Sequence, residues 1–283
     1  MKTVLPLSNW PLEDRRNIFG VFTDIDDTLT TEGAITPDAL QALAQLKAAG
    51  LHVIPITGRP IGWSEPFARG DADRGSAPWP VDAIVAENGA VAFVLNESGL
   101  QPPSLFRKQP AKLYQQDAAT RAANYTRMQE VAAQVLREVP GTQLSQDSAG
   151  RETDIAIDHS EFAHLPPAQI AQVVALMQGA GMTATVSSIH INGWFGAHNK
   201  LAGARWIVRE LFGRDLDAEL KRWVFVGDST NDQLMFAHFP HSVGVANIRR
   251  FEAELSHQPR YITQGLRGAG FAEVARTILC ARD

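Results

Sequence analysis

Ile18-Phe19-Gly20-Val21-Phe22-Thr23, followed at once by Asp24-Ile25-Asp26-Asp27-Thr28, is the stretch that decides the fold. A short, β-rich apolar run of this length reads as a strand buried on both faces, the condition of strands in a parallel sheet. The carboxylates of Asp24, Asp26 and Asp27 end it.

Working outward, Thr36 and Pro37 read as the N-cap and first residue of a helix, with Leu40, Leu43, Ala44 and Ala48 as its apolar stripe and Gly50 at its C-terminal end. A second strand follows at Leu51 to Ile56 and leads into Thr57-Gly58-Arg59, with Pro55 marking its end. A third, near Val81 to Ala86, leads into Glu87-Asn88-Gly89. Beyond Gly89 the pattern is less regular: Asp117 to Glu138 and Pro166 to Gly181 read as helices, and Thr153 to Ile157 and Met182 to Asn192 as strands. Asn199 can cap a helix from Lys200 to about Leu211. Trp223-Val224-Phe225-Val226 is then a short strand ending in Gly227-Asp228-Ser229-Thr230-Asn231-Asp232, followed by Val243-Gly244-Val245 and a C-terminal helix from about Gly270. The expected fold class is α/β: a doubly wound, mainly parallel, Rossmann-like core of residues 1–89 and 197–283, interrupted by an inserted α+β domain at 90–196.

Composition narrows the function. The chain has 283 residues, 45% hydrophobic and 20% charged, as in an ordinary globular protein. Lys and Arg number 26 against 31 Asp and Glu, and a net charge of −5 is the wrong sign for a protein that grips nucleic acid through its phosphates. A single cysteine, Cys280, excludes an intrachain disulfide and any Cys-rich metal site. The N-terminal stretch lacks a signal peptide's apolar run, and nothing approaches the about 18 uninterrupted apolar residues of a membrane span. The expectation is a cytoplasmic protein, monomer or homodimer, with neither nucleic acid nor membrane as a partner.

In open parallel sheets, ligands bind beyond the carboxyl ends of the strands. Residues that follow the predicted strands should therefore converge: Asp24, Asp26 and Asp27; Thr57, Gly58 and Arg59; Asp228, Asn231 and Asp232. Crowded carboxylates repel unless a cation sits among them, and Mg²⁺ takes one or two carboxylates, waters and phosphate oxygens. A Mg²⁺–phosphate site is the economical explanation. Lys200, in the first turn of a helix, opposes the macrodipole and so reads as facing an anion. In Ser188-Ile189-His190-Ile191-Asn192-Gly193-Trp194 the alternation puts His190 and Asn192 on one strand face, either toward a leaving group or toward solvent. Arg107 and Lys108 read as a second anion contact or a solvated pair, and Trp63, Trp79 and Trp194 as packing residues rather than sugar platforms.

These segments resemble the haloacid dehalogenase superfamily of phosphotransferases, whose four motifs stand here in order: Asp24-Ile25-Asp26-Asp27-Thr28, Thr57, Lys200, and Gly227 to Asp232. Together with Thr57-Gly58-Arg59 and Glu87-Asn88-Gly89-Ala90 they look like the subclass with a large α/β cap between the second and third motifs, which includes phosphatases of sucrose phosphate and mannosyl-3-phosphoglycerate. Leu201 stands where relatives often have Gly.

The resemblance implies a Mg²⁺-dependent phosphatase of a small phosphomonoester, most readily a sugar phosphate. It makes Asp24 the nucleophile that forms an aspartyl-phosphate, and Asp26 the acid–base group. Mg²⁺ would be held by the Asp24 carboxylate, the Asp26 carbonyl and Asp228, with Asp232 in support. Thr57, the Gly58 amide and Lys200 would hold the phosphoryl oxygens. Thr28, Arg59, Asn88, Asn231 and, from the cap, His190 and Asn192 complete the expected phosphate and substrate contacts. A phosphomutase with the same intermediate, and a non-enzymatic phosphoacceptor switch, are the competing readings. Under the phosphatase reading Lys200→Ala is expected to cost orders of magnitude in turnover and to leave folding intact.

Overall fold

The structure, a computed structural model, describes residues 4–73, 75–95 and 111–282. Arg107 and Lys108 lie outside the described residues. The first half of the chain gives β1 (Leu5–Pro6), α1 (Leu12–Arg16), β2 (Gly20–Thr23), the short pair β3 (Thr30–Thr31) and β4 (Ala34–Ile35), α2 (Pro37–Ala48), β5 (His52–Pro55), α3 (Ile61–Arg69), β6 (Ala83–Ala86), β7 (Val91–Val94) and β8 (Ala111–Tyr114). The middle adds α4 (Ala118–Glu138), β9 (Ile155–Asp158), α5 (Pro167–Gly179), β10 (Thr183–Val186) and β11 (His190–Trp194). The last part supplies α6 (Lys200–Phe212), β12 (Trp223–Gly227), α7 (Gln233–His238), β13 (His241–Gly244), β14 (Tyr261–Ile262) and α8 (Arg267–Leu279). No helix among the described residues is long and apolar enough to cross a membrane.

The central sheet is parallel throughout, in the order β1-β14-β13-β12-β2-β5. A parallel bridge from Ile56 to Val85 ties it to an antiparallel sheet, β6-β7-β8. The period of two sorts the strand side chains onto two faces. Val21, Val53, Val224 and Val226 join α2 and α8 in one cluster, while Phe22, Ile54 and Phe225 join α6 and α7 in the other. Both faces are covered, which is why these strands are apolar runs and not alternating ones.

Helix α2 begins at Pro37 as expected, but its inward face is Ala39, Ala42, Leu43 and Leu46, while Leu40 is exposed. The i, i+3, i+4, i+7 spacing of this set is also helical. It wins because the two alanines let α8 come close while Leu43 and Leu46 fill the core.

The middle of the chain has its own hydrophobic cluster, running from Met128 to Phe195. Its sheet is antiparallel, in the order β10-β11-β9. In β11, Ile191 belongs to that cluster, and a Cβ on Gly193 would lie 2.7 Å from Met177 Sδ, so these positions face the helices. His190 and Asn192, buried at 2% exposure each, face the core domain instead. The sequence places the start of the insert at residue 90, whereas Val91 and Phe93 of β7 pack with the α2–α8 side of the core and Ala92 and Val94 with the α6 side. Hydrophobic clustering thus puts β7 and β8 with the central sheet, and the separate unit after Tyr114.

Candidate active site

Strands β12, β2 and β5 are neighbours, with Thr23 opposite both Val226 and Pro55. That register brings the residues following each strand to one edge of the sheet. The Asp24 amide donates to Val226 O at 2.8 Å and the Ile56 amide to Thr23 O at 2.8 Å, which fixes the first turn beyond the strands. The predicted convergence of Asp24, Thr57 and Asp228 is a consequence of this pairing.

Lys200 enters from the opposite side. Asn199 caps α6 by accepting from the Ala202 amide, and Gly203 on the next turn packs so closely on Gly89 that a Cβ there would sit 2.5 Å from Gly89 Cα. The helix start is thereby pressed against the Glu87–Gly89 turn, and Lys200 Nζ lies 2.8 Å from Asp24 Oδ1 and 2.7 Å from Asp232 Oδ1. Burial works against the ammonium, but the two carboxylates outweigh it and raise its pKa. Burial raises the pKa of Asp24, as do Asp232 and Asp26, while Lys200 pulls it back. Asp228 is raised well above the usual carboxylate range by burial and by Asp24 and Asp232.

Oxygens of Asp24, Asp228 and Asp232 come within 4.8 Å of one another. Asp232 is already occupied on both oxygens: Oδ1 takes Lys200, and Oδ2 accepts the amides of Asp228 and Ser229 at 3.0 and 3.2 Å. Asp228 Oδ2 accepts from Asn247 at 2.9 Å, but its Oδ1 is buried with no partner. Arg250 approaches the same cluster, at 2.7 Å from Asp27 and 3.4 Å from Asp228.

A small cavity of about 10 Å³, room for roughly one water, lies between the core and the insert. Asp24, Asp26, Thr57, Gly58, Arg59 and Asn231 line it from the core, and Ser187 to His190 and Asn192 from the insert. Thr57 and Thr28 are fully buried, and the Thr28 hydroxyl has no partner. Asn88 sits beside Gly58: a Cβ on Gly58 would meet the Asn88 amide at 3.3 Å. The Asn192 side chain donates to Gly58 O at 3.3 Å and to Asp154 at 3.0 Å. Arg59, which the sequence suggests for phosphate, commits its donors to Asp26, Asp147 and Glu161.

Glu87 stitches the insert to this floor. Its Oε1 accepts the amides of Ile61 and Glu152 at 3.0 and 3.1 Å, and its Oε2 accepts the Thr153 amide and hydroxyl. Burial, with Asp154 adding repulsion, pushes Glu87 up to about 7 against the pull of these donors. In Glu87→Gln the side-chain NH₂ must face an N–H or O–H donor whichever way the amide turns. Leaving such donors unpaired in the interior should cost about 2–3 kcal/mol, read as a lower denaturation midpoint and faster hydrogen exchange at residues 150–154. An unchanged midpoint would show that Glu87 is not a carboxylate acceptor in this interface.

Several participants escape sequence reading. Asn247 and Arg250 follow β13, so the strand-end rule that found Asp228 could have found them. Asp147, Arg151, Asp154 and Glu161 lie on loops and an edge of the insert, where no spacing marks them. Trp63 packs edge-on against Phe67, Trp79 stacks on Phe67, and Trp194 stacks on His198, so all three are packing residues.

Residues 21–115 match the family model of haloacid dehalogenase-like hydrolases. No curated protein sequence matches the chain. Among solved structures, the sucrose-phosphatase from Synechocystis sp. PCC6803 superposes with a TM-score of 0.62 at 13% identity, covering 93% of this chain and 98% of its own. A HAD/COF-like hydrolase from Plasmodium vivax gives 0.65 at 15% identity over 95% and 99%. A HAD subclass IIB sugar phosphatase gives 0.59 at 17% identity over 93% and 99%. The family match spans the segment that holds Asp24, Thr57 and Asn88, and the chain shares the fold of these three structures along nearly its whole length.

Proposed function

We propose that the protein is a Mg²⁺-dependent phosphatase of a small phosphorylated metabolite, with a sugar as the leaving group, and that the insert is its substrate cap. One observation carries this reading: a buried carboxylate, Asp24, held by the buried cation Lys200 at the mouth of a cavity, next to Asp228, whose Oδ1 has no partner. The donor set suits a hard divalent cation, which takes oxygens only and prefers carboxylates that are otherwise unsatisfied. Asp24, Asp228 and the Asp26 carbonyl would hold Mg²⁺, and Asp232 would orient Lys200 and the Asp228 amide rather than ligate. When bound, the ion offsets the repulsion between an anionic nucleophile and a phosphate dianion.

The chain's own residues supply the rest. Asp24 attacks phosphorus in line, the alkoxide leaves with a proton from Asp26, and the aspartyl-phosphate is hydrolysed by a water that Asp26 deprotonates. Lys200, Thr57 and the Gly58 amide hold phosphoryl oxygens, as preorganised donors at developing charge. Asn231 lines that pocket, and Asn88 and Thr28 would complete its phosphate contacts. His190, Asn192 and the Ser187–Ser188 segment meet the leaving group, and their hydrogen-bonding groups suit hydroxyls. The neighbours that are themselves sugar phosphatases support this choice of substrate class. Phosphate release from a panel of sugar, disaccharide, glycerate and nucleotide monophosphates tests the reading. One sugar phosphate should be hydrolysed well above the rest with Mg²⁺, and EDTA should return it to background. Release that survives EDTA, or none from any compound, would overturn the proposal.

A further inference from the structure

The Arg59 guanidinium is shared among three carboxylates. Its Nε donates to both Asp26 oxygens, at 3.0 and 3.2 Å, and Nη2 lies 3.0 Å from Asp26 Oδ1. Nη2 also donates to Glu161 Oε1 at 2.8 Å, and Nη1 to Asp147 Oδ2 at 3.1 Å and Glu161 Oε2 at 3.3 Å. One edge of a rigid plane therefore belongs to the core and the other to the insert, and fixing one edge fixes the other. The ring of Trp63 lies beneath it, 5.1 Å from the guanidinium carbon.

The insert's half of this arrangement is built in advance. Asp158, fully buried at the end of β9, accepts the amides of Ser160, Glu161, Phe162 and Ala163, so the loop that carries Glu161 has one shape. Glu161 also takes His190 Nε2 at 2.8 Å, and His190 lines the cavity with Asp26. Asp147 is held by the Ser145 hydroxyl at 2.7 Å and by Arg151 at 3.1 Å. Burial disfavours the charge on both, yet Glu161 is pulled down to about 2 by hydrogen bonds from His190 and Arg59, and Asp147 to about 2 by Arg151 and Ser145. Both stay ionised at any working pH.

We propose that Glu161 and Asp147 are positioning residues for the proton-transfer step: by holding one edge of Arg59, they aim the Asp26 carboxyl on its other edge into the cavity. Asp26 is then correctly placed only while the insert is closed over the core. The inference rests on the phosphatase reading, with Asp26 as acid–base group. It separates from a general structural role in the first half-reaction, where a misplaced acid slows only leaving groups that need a proton; the later activation of water by Asp26 is common to all esters. A sugar alkoxide needs that proton; p-nitrophenolate leaves without it.

The test compares Glu161→Gln with wild type in single turnovers, enzyme in excess, following release of the alcohol from the best sugar phosphate and of p-nitrophenolate from p-nitrophenyl phosphate. Glutamine keeps the shape and an acceptor for His190 but removes the charge that holds Arg59. The expected result is a rate of alcohol release from the sugar phosphate lower by about 10–100-fold, part of the usual acid–base contribution, with the rate of p-nitrophenolate release within about threefold. Asp147→Asn should show the same selectivity, more weakly, and serves if Glu161→Gln fails to fold. Equal losses on both esters, or no loss on the sugar phosphate, would overturn the proposal. A wild type that hydrolyses neither ester would instead overturn the phosphatase reading on which it stands.

Discussion

Asp24→Asn should lower turnover of the phosphomonoester by at least about 10⁴-fold, the scale on which an enzyme loses activity with its nucleophile, and leave the fold in place. The amide has the size of the carboxylate and can still accept from Lys200 at the 2.8 Å contact, but it cannot attack phosphorus. Stability should change little, because two effects oppose each other. Lys200 loses one counter-charge but keeps Asp232 at 2.7 Å. Burial and the neighbouring Asp232 and Asp26 already make the Asp24 charge unfavourable, as its raised pKa records, so its removal is a relief. The measurement is steady-state turnover together with trapping of an acyl-phosphate by hydroxylamine. Wild type should yield a hydroxamate at residue 24 and the variant none. Retained Mg²⁺-dependent turnover in a folded Asp24→Asn protein would sink the covalent mechanism.

The sites at the strand ends were legible because they are written locally. Asp24, Thr57 and Asp228 each follow an apolar run directly, and parallel pairing carries them to one edge. The helices from Pro37, Asp117, Pro167 and Lys200 were equally marked by caps, prolines and apolar spacing. What sequence could not show is settled by partners distant along the chain. The inward face of α2 depends on α8, more than two hundred residues away, so the stripe through Leu40 was the wrong choice between two helical patterns. The hairpin of β7 and β8 looked irregular because its pairing partner is β6 and its side chains divide between two clusters. Arg59 reads as a phosphate ligand from its place after β5, and nothing in its neighbourhood announces carboxylates at 147 and 161. The candidate catalytic residues are marked by the strand they follow; the residues that hold them are not.

Lys200→Met should lower activity by about 10²–10³-fold, as loss of one preorganised charge donor does, but the expectation that folding is untouched does not survive the structure. Lys200 is 3% exposed, and its ammonium bridges Asp24 and Asp232, neither of which has another side-chain cation at these distances among the described residues. Methionine fills the stem and leaves two buried carboxylates facing Asp228, with Arg250 at the rim. Breaking a buried pair in this way costs about 3–5 kcal/mol, so the metal-free variant should unfold at clearly lower denaturant concentration. A divalent cation supplies the missing positive charge at the same place and stabilises the folded state it binds. MgCl₂ should therefore raise the midpoint of Lys200→Met more than that of wild type, while failing to restore turnover, because Mg²⁺ cannot also occupy the Lys200 position against the phosphoryl oxygens. Near-normal stability of the metal-free variant would mean that the carboxylates relax by protonation at little cost. Near-normal turnover would remove Lys200 from the phosphoryl site altogether.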